Sequence, residues 1–88
     1  SWIKSNLEEG QGSAILEAEI YREYLEFCNL NSLTPISAED FDKFVKRVFN
    51  KVSSRCLGNP GNFYYFGLKR QEIPKIYIKY LHQEDIQS

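Results

Sequence analysis

The sequence predicts one small, mainly α-helical domain in which three helices precede a β-hairpin. Three observations predict it: a strongly amphipathic stretch with a basic side, an acidic amphipathic stretch just before it, and a run of β-prone aromatic residues after a glycine-rich turn. At 88 residues and 42% hydrophobic content, the chain can bury a single core. No run of about 18 apolar residues is present, so we expect no membrane partner.

The third predicted helix, residues 37–52, gives the clearest helical signal. Ser37 suits the N-cap, and Glu39 and Asp40 place negative charge in the first turn, where free amides and the helix dipole favour it. The apolar face recurs at helical spacing and comprises Phe41, Phe44, Val45, Val48, Phe49 and Val52. The opposite, basic face comprises Lys43, Lys46, Arg47 and Lys51.

Two helices are predicted upstream. The first covers residues 2–9 and is ended by Gly10, because glycine readily adopts the left-handed conformation of a helix stop. A connector follows, with a short strand predicted around residues 14–16. The second helix covers about residues 17–30 and has an acidic outer face. Its apolar stripe comprises Ile20, Tyr21, Tyr24, Phe27 and Cys28.

The chain after Val52 has the pattern of a β-hairpin. Two strand-like segments flank a turn that contains Gly58, Asn59, Pro60 and Gly61. Alternate residues of a strand face opposite sides, so one pair of residues 63–66 should pack on the helices while the other pair is partly exposed. Three helices and such a hairpin predict a winged helix over residues 1–70, the hairpin being the wing.

Residues 71–88 are predicted to form a C-terminal helical extension packed on or beside the winged helix. Pro74 suits the first turn of a helix. Its apolar stripe either closes the core or docks on a partner, and the first is favoured because such stripes are usually core. The stripe comprises Ile73, Ile76, Tyr77, Tyr80 and Leu81.

Charge is distributed unevenly along the chain. Residues 1–40 hold two basic and eight acidic side chains, whereas residues 41–70 hold seven basic side chains and one acidic one. This asymmetry is typical of a surface that binds a polyanion, although two solvated faces that neutralise each other would give the same count.

Side chains suited to catalysis or metal binding are sparse. Cys56 and His82 form the only conceivable nucleophile and base pair, without an orienting motif, and the chain has three Cys and His residues where zinc sites usually need four. We therefore expect no enzyme, no metal, no cofactor and no small-molecule substrate. Two cysteines are too few for a disulfide scaffold, which favours a reduced intracellular compartment.

Residues Trp2 to Asn62 resemble the DNA-binding domain of the regulatory factor X (RFX) family. The resemblance rests first on Trp2, Asn6, Gly12, the Y-x-x-Y-x-x-x-C run of Tyr21, Tyr24 and Cys28, Pro35, Phe41, Lys43 and Phe49. It continues with R-x-L-G-x-x-G-N at Arg55, Leu57, Gly58, Gly61 and Asn62, then Tyr65 and Gly67. The family implies a wing in the DNA major groove, with Lys43 facing the minor groove and Arg55 supporting contact at the wing base.

The chain departs from the family pattern at three informative positions. Cys56 and Pro60 stand where the family wing is basic, and Glu17 replaces an arginine before the second helix. An arginine pair to guanine supplies about 1 to 3 kcal/mol of discrimination, so we expect weak, salt-sensitive binding with low specificity. The residues expected to contact duplex DNA are Lys43, Lys46, Arg47, Lys51, Arg55, Asn59, Asn62, Lys69 and Arg70.

Two functions are compatible with the sequence. The first is a DNA-binding winged helix in a nuclear transcription or chromatin-remodelling regulator, and the segment Gly67 to Pro74 also resembles the RFX-like part of the AT-rich-interaction-domain subunit of PBAF and RSC remodellers. The second is a protein-interaction or scaffolding winged helix in a multisubunit chromatin complex. The aromatic excess at residues 63–66 and 76–81 favours the second, provided that those side chains are exposed.

Overall fold

The computed structural model describes residues 1–72, which form three helices and one antiparallel sheet. The elements are α1 (Trp2–Asn6), β1 (Leu7–Leu16), α2 (Glu17–Leu30), α3 (Ala38–Val48), β2 (Ser53–Gly58) and β3 (Gly61–Arg70). The strand order is β1-β3-β2, so the central strand is β3. This architecture confirms the predicted winged helix, with the wing formed by β2, its turn and β3. The predicted C-terminal helix lies outside the described residues.

The first helix is shorter than predicted, because the chain leaves it to join the sheet. It ends at Asn6, and the strand that begins at Leu7 pairs with the last residues of β3, with Leu7 opposite Arg70. Gly10 therefore lies in a strand and does not stop a helix. The burial of Leu7 and the pairing of its strand with β3 depend on residues distant in sequence, and these interactions override the local helix propensity.

Strand β1 carries a wide bulge in its middle. Glu9 lies opposite Leu68 and Ala14 opposite Phe66, so the four residues between them on β1 face Gly67 alone on β3. Gly67 has a φ of +88°, a backbone conformation that residues other than glycine rarely adopt. The bulge, residues 10–13, locally interrupts the ladder and bends the strand.

Helix α3 begins as predicted but ends earlier. The Ser37 hydroxyl accepts a hydrogen bond from the Asp40 amide at 3.1 Å, which is the expected N-cap. The helix ends at Val48, because the chain must turn before β2 starts at Ser53. Val52 is still buried, but it lies in this turn and not in the helix. Lys51 also lies in this turn and is not part of the helical basic face.

The core lies between the three helices and the inner face of the sheet. Its buried side chains are Ile3, Leu7, Ile20, Phe41, Val45, Val52, Tyr65 and Leu68. Phe44 does not join them, since 38% of its surface is exposed. The buried face of α3 is therefore narrower than its sequence pattern predicts. Rings from α1 and α2 surround Phe41, with the Tyr24 centroid at 4.8 Å and the Trp2 centroid at 6.2 Å.

Candidate nucleic-acid interface

The wing projects a short, narrow tip. Gly58 pairs with Gly61, which leaves Asn59 and Pro60 as the two turn residues, and Gly58 has a φ of +95°. A Cβ at Gly61 would collide with the Cys56 sulfur and stand 3.0 Å from the carbonyl oxygens of Leu57 and Gly58, so a side chain there would force the Cys56 side chain to move. Asn59 and Asn62 are both exposed at this tip.

Arg55 lies on the outer face of the sheet, away from the helices. Its neighbour Ser54 pairs with Tyr65, which is buried against the helices, and alternation places Arg55 on the opposite side. The Arg55 guanidinium carbon stands 5.0 Å from the centre of the Phe66 ring. This cation–π contact positions the guanidinium while leaving the residue exposed.

The aromatic run on β3 divides less simply than predicted. Tyr65 is buried and donates a hydrogen bond to Asp42 at 3.0 Å, whereas Tyr64 and Phe66 on the outer face are half-buried. Phe63 shares the face of Tyr65 but is 57% exposed, because it lies two residues nearer the wing tip and is not covered by the helices. One of the two inward-facing rings is therefore available on the surface.

Burial changes the chemistry of Tyr65. It raises the pKa of the phenol far above its usual value, and the hydrogen bond to the Asp42 carboxylate raises the pKa further, because an anionic phenolate would be repelled there. The neutral phenol is thus a fixed donor that joins the wing to α3.

Two of the predicted cations on α3 are paired within the helix. The Lys43 ammonium lies 3.4 Å from Glu39, and the Lys46 ammonium lies 3.0 Å from Asp42, both at a separation of four residues. Exposed ion pairs of this kind contribute about 0 to 1 kcal/mol, so a phosphate group can compete for the lysines. Arg47, in the last turn, forms no ion pair within residues 1–72.

The two cations at the end of β3 are also paired. The Lys69 ammonium lies 3.9 Å from Glu8 on β1. Arg70 binds Glu23 on α2 through two nitrogens, with the shorter contact at 2.6 Å, and approaches Glu19 at 3.5 Å. The bond to Glu23 raises the pKa of Arg70 above its usual value. The structure therefore directs Arg70 toward the acidic helix.

The chain matches a known family over the whole of its described part. The profile of the RFX DNA-binding domain matches residues 1–72. The chain belongs to this family. Among its relatives, the transcription factor RFX4 of Mus musculus is 31% identical over 78 residues, covering 86% of this chain and 11% of the relative. The DNA-binding protein RFX7 of Xenopus laevis is 37% identical over 73 residues, covering 81% of this chain and 5% of the relative.

A relative from yeast extends the comparison. The protein sak1 of Schizosaccharomyces pombe is 34% identical over 70 residues, covering 77% of this chain and 9% of the relative. This RFX domain thus spans about a tenth or less of the length of these curated relatives.

The three positions at which the sequence is expected to depart from the family pattern lie in two different environments. Cys56 and Pro60 are exposed on the wing. Glu17 begins α2 and borders a groove of about 260 Å³, where Asp42 and Tyr65 also lie. One carboxylate oxygen of Glu17 is buried and has no hydrogen-bond partner among the described residues.

A larger cleft lies at the base of the wing and was not predicted from the sequence. Its volume is about 470 Å³, and it is lined by Glu9–Gly12, Lys51, Ser53, Phe66 and Gly67. Of these, sequence reasoning singled out only Lys51 as a contact residue. The closely spaced Gly10 and Gly12 were a visible signal of irregular backbone, but the cleft depends on the β1 pairing, which local sequence does not reveal.

The described residues offer little for other chemistries. No helix within residues 1–72 is long and apolar enough to cross a bilayer. The same residues contain no group of three or more side chains suited to hold a metal ion. Cys56 is exposed, Cys28 is buried, and His82 lies outside the described residues.

Proposed function

We propose that this RFX domain binds duplex DNA mainly through the phosphate backbone, as part of a nuclear regulator of transcription or chromatin remodelling. The observation that carries the proposal is that three basic side chains, Arg47, Lys51 and Arg55, are each exposed. None of the three forms an ion pair within residues 1–72, and the chain from residue 43 to residue 71 contains no acidic side chain. Such cations release counterions when they neutralise phosphates, which drives binding to DNA.

The proposed contact residues should contribute unequally. The unpaired cations contribute most, and the exposed amides of Asn59 and Asn62 reach the DNA from the wing tip. Lys43, Lys46 and Lys69 must first leave a carboxylate and therefore contribute less. Arg70 contributes least, because its two-nitrogen contact with Glu23 is the strongest of these pairs.

We expect low sequence specificity. Direct readout of guanine needs a side chain with two fixed donors in the major groove, and the wing presents Cys56 and Pro60 at two positions where the family pattern is basic. Phosphate contacts fix the orientation of a protein on the duplex but carry no sequence information. Affinity should therefore change little among unrelated duplexes of equal length.

A DNA titration at two salt concentrations tests this function. We expect binding of the 88-residue chain to a labelled duplex at about 50 mM salt, and a large loss of affinity at about 200 mM. Replacing Arg47 and Arg55 together with Glu should abolish binding, while Lys4→Glu, a like-signed change of an exposed residue on α1, serves as the control. Binding that is absent at low salt, or that is indifferent to salt, would contradict the proposal.

A second candidate is a protein-interaction or scaffolding role within a chromatin complex. It is favoured by two exposed apolar side chains on the wing, Phe63 at 57% and Leu57 at 48% exposure. Strand alternation places the two on opposite faces of the hairpin, so a partner that encloses the wing would contact both. Substituting Phe63 with Ser would separate the two functions: it should leave DNA affinity within about twofold if phosphates dominate binding, and should weaken a protein complex that uses the wing.

A further inference from the structure

The cleft at the wing base lies between two structural elements that differ in chemistry. One wall is the bulge of β1, and the other is the segment from Lys51 to Ser53 that leads into β2. Phe66 and Gly67 of the central strand form the floor. A Cβ at Gly67 would stand 3.8 Å from the Lys51 carbonyl, so the absence of a side chain helps to keep the floor open.

The charge around this cleft favours an anion. Lys51 lines it, is exposed and forms no ion pair within residues 1–72. Arg55 adds a second cation at its border, because its guanidinium stands 5.0 Å from the centre of the Phe66 ring. Glu9 is the one carboxylate among the lining residues and opposes these two cations.

The walls also carry uncharged donors. Ser53 and Gln11 are exposed and supply a hydroxyl and a side-chain amide. Gly12 has a φ of +82°, and a Cβ built on it would meet nothing within 4 Å, so a ligand can approach its backbone closely. Cations combined with such donors are the groups that hold phosphate oxygens in proteins.

We propose that this cleft is a phosphate site, which binds one backbone phosphate of DNA and extends the DNA contact from the wing to the β1 bulge. The inference rests on the proposed function and deepens it, since it adds Gln11, Gly12 and Ser53 to the contact residues. A cleft of about 470 Å³ holds a phosphate together with part of its sugar. Along β2, Arg55 lies between the wing tip and the cleft, so one DNA backbone can contact all three.

Opposite charge changes at the two walls test this site. In the 88-residue chain, Lys51→Glu should weaken binding of a labelled duplex about tenfold at low salt, because it replaces attraction with repulsion. Glu9→Gln should strengthen binding about two- to threefold, because it removes the opposing carboxylate. Lys51→Ala should lower the slope of log affinity against log salt by about one. Lys4→Glu on α1 is the control for a general charge effect and should change affinity less than twofold.

A second measurement locates the phosphate directly. Backbone amide signals of Gln11 and Gly12 should shift when the duplex is added to the unchanged protein, and these shifts should shrink in Lys51→Ala, whose fold is checked by circular dichroism. If DNA binds but neither wall variant changes affinity and the bulge signals stay still, the cleft is not a phosphate site and the proposed function stands alone. If the unchanged chain does not bind DNA at low salt, both proposals are wrong.

Discussion

Helix α3 and the wing are both basic in sequence, but they differ in how available their cations are. In α3, Lys43 and Lys46 each follow an acidic residue by four positions, which is the spacing that brings side chains together on a helix. On β2, Arg55 has no acidic neighbour in sequence, and strand alternation turns it away from the helices. The net charge of a segment therefore counts its cations, whereas its secondary structure decides which of those cations remain free of an acidic partner.

The largest test of this difference compares single truncations in the two regions. Arg55→Ala should reduce duplex affinity about five- to tenfold at low salt. The substitution removes a cation that has no acidic partner and that the Phe66 ring holds in place. Lys43→Ala should reduce affinity only about twofold, because that lysine already has a carboxylate partner. Fluorescence anisotropy with one duplex measures both. Equal losses of affinity would show that the ion pair with Glu39 does not reduce the contribution of Lys43 to DNA binding, which would contradict the proposed difference between α3 and the wing.

Much of this architecture could be predicted from sequence because its signals are local. Helix α2 spans the predicted residues 17–30, and the turn at Gly58 to Gly61 lies where its glycines require it. The sequence pattern predicted the wrong helix ends where pairing with a distant segment determines the structure. Nothing near Leu7 indicates that it pairs with Arg70, and the apolar period of α3 continues to Val52 although the chain has already turned toward β2.

The candidate site divides in the same way. The pairs on α3 could be anticipated from the spacing of Glu39 and Lys43, since contact at four residues is a local property of a helix. The bond between Arg70 and Glu23 joins residues 47 positions apart and appears only once the sheet is packed on α2. The cleft beside Lys51 is likewise created by the β1 pairing.

A contact between the two regions gives the next test. Tyr65→Phe removes the hydrogen bond between the wing and Asp42 on α3, and we expect a loss of about 1 kcal/mol in the free energy of unfolding near neutral pH. DNA affinity should stay nearly constant, because neither atom of this bond belongs to the proposed contact surface. Denaturant unfolding measures the first and anisotropy the second. A large loss of affinity would mean that the wing and α3 must be held together to bind.

The raised pKa of Tyr65 makes that stabilisation dependent on pH. In the unfolded chain the phenol ionises near pH 10, whereas in the folded protein it stays neutral well above this value. Its contribution is therefore fully present below about pH 10 and is lost as the pH rises above it. The difference in unfolding free energy between the unchanged protein and Tyr65→Phe should shrink between about pH 9 and about pH 11. A constant difference over that range would contradict the assignment.

Arg70 belongs to the wing by sequence but resembles the α3 lysines by its pairing. Arg70→Ala should lower the free energy of unfolding by about 0.5 to 1 kcal/mol, because a two-nitrogen contact that joins β3 to α2 is lost at a partly exposed site. Its effect on duplex affinity should be smaller than that of Arg55→Ala measured in the same buffer. A loss of duplex affinity larger than that of Arg55→Ala would show that the Arg70 side chain leaves Glu23 when DNA is present.

The smallest expected effect is also the most direct test of pairing on α3. Glu39→Gln removes the carboxylate that lies 3.4 Å from the Lys43 ammonium, and it should raise duplex affinity about twofold by freeing that lysine. The amide keeps the size of the side chain, and stability should change by less than about 0.5 kcal/mol because both side chains are exposed. Glu26→Gln, an exposed change of the same kind on α2, controls for the loss of one negative charge. A gain seen with both variants would reflect overall charge, whereas a gain seen only with Glu39→Gln would show that the carboxylate competes with DNA for Lys43.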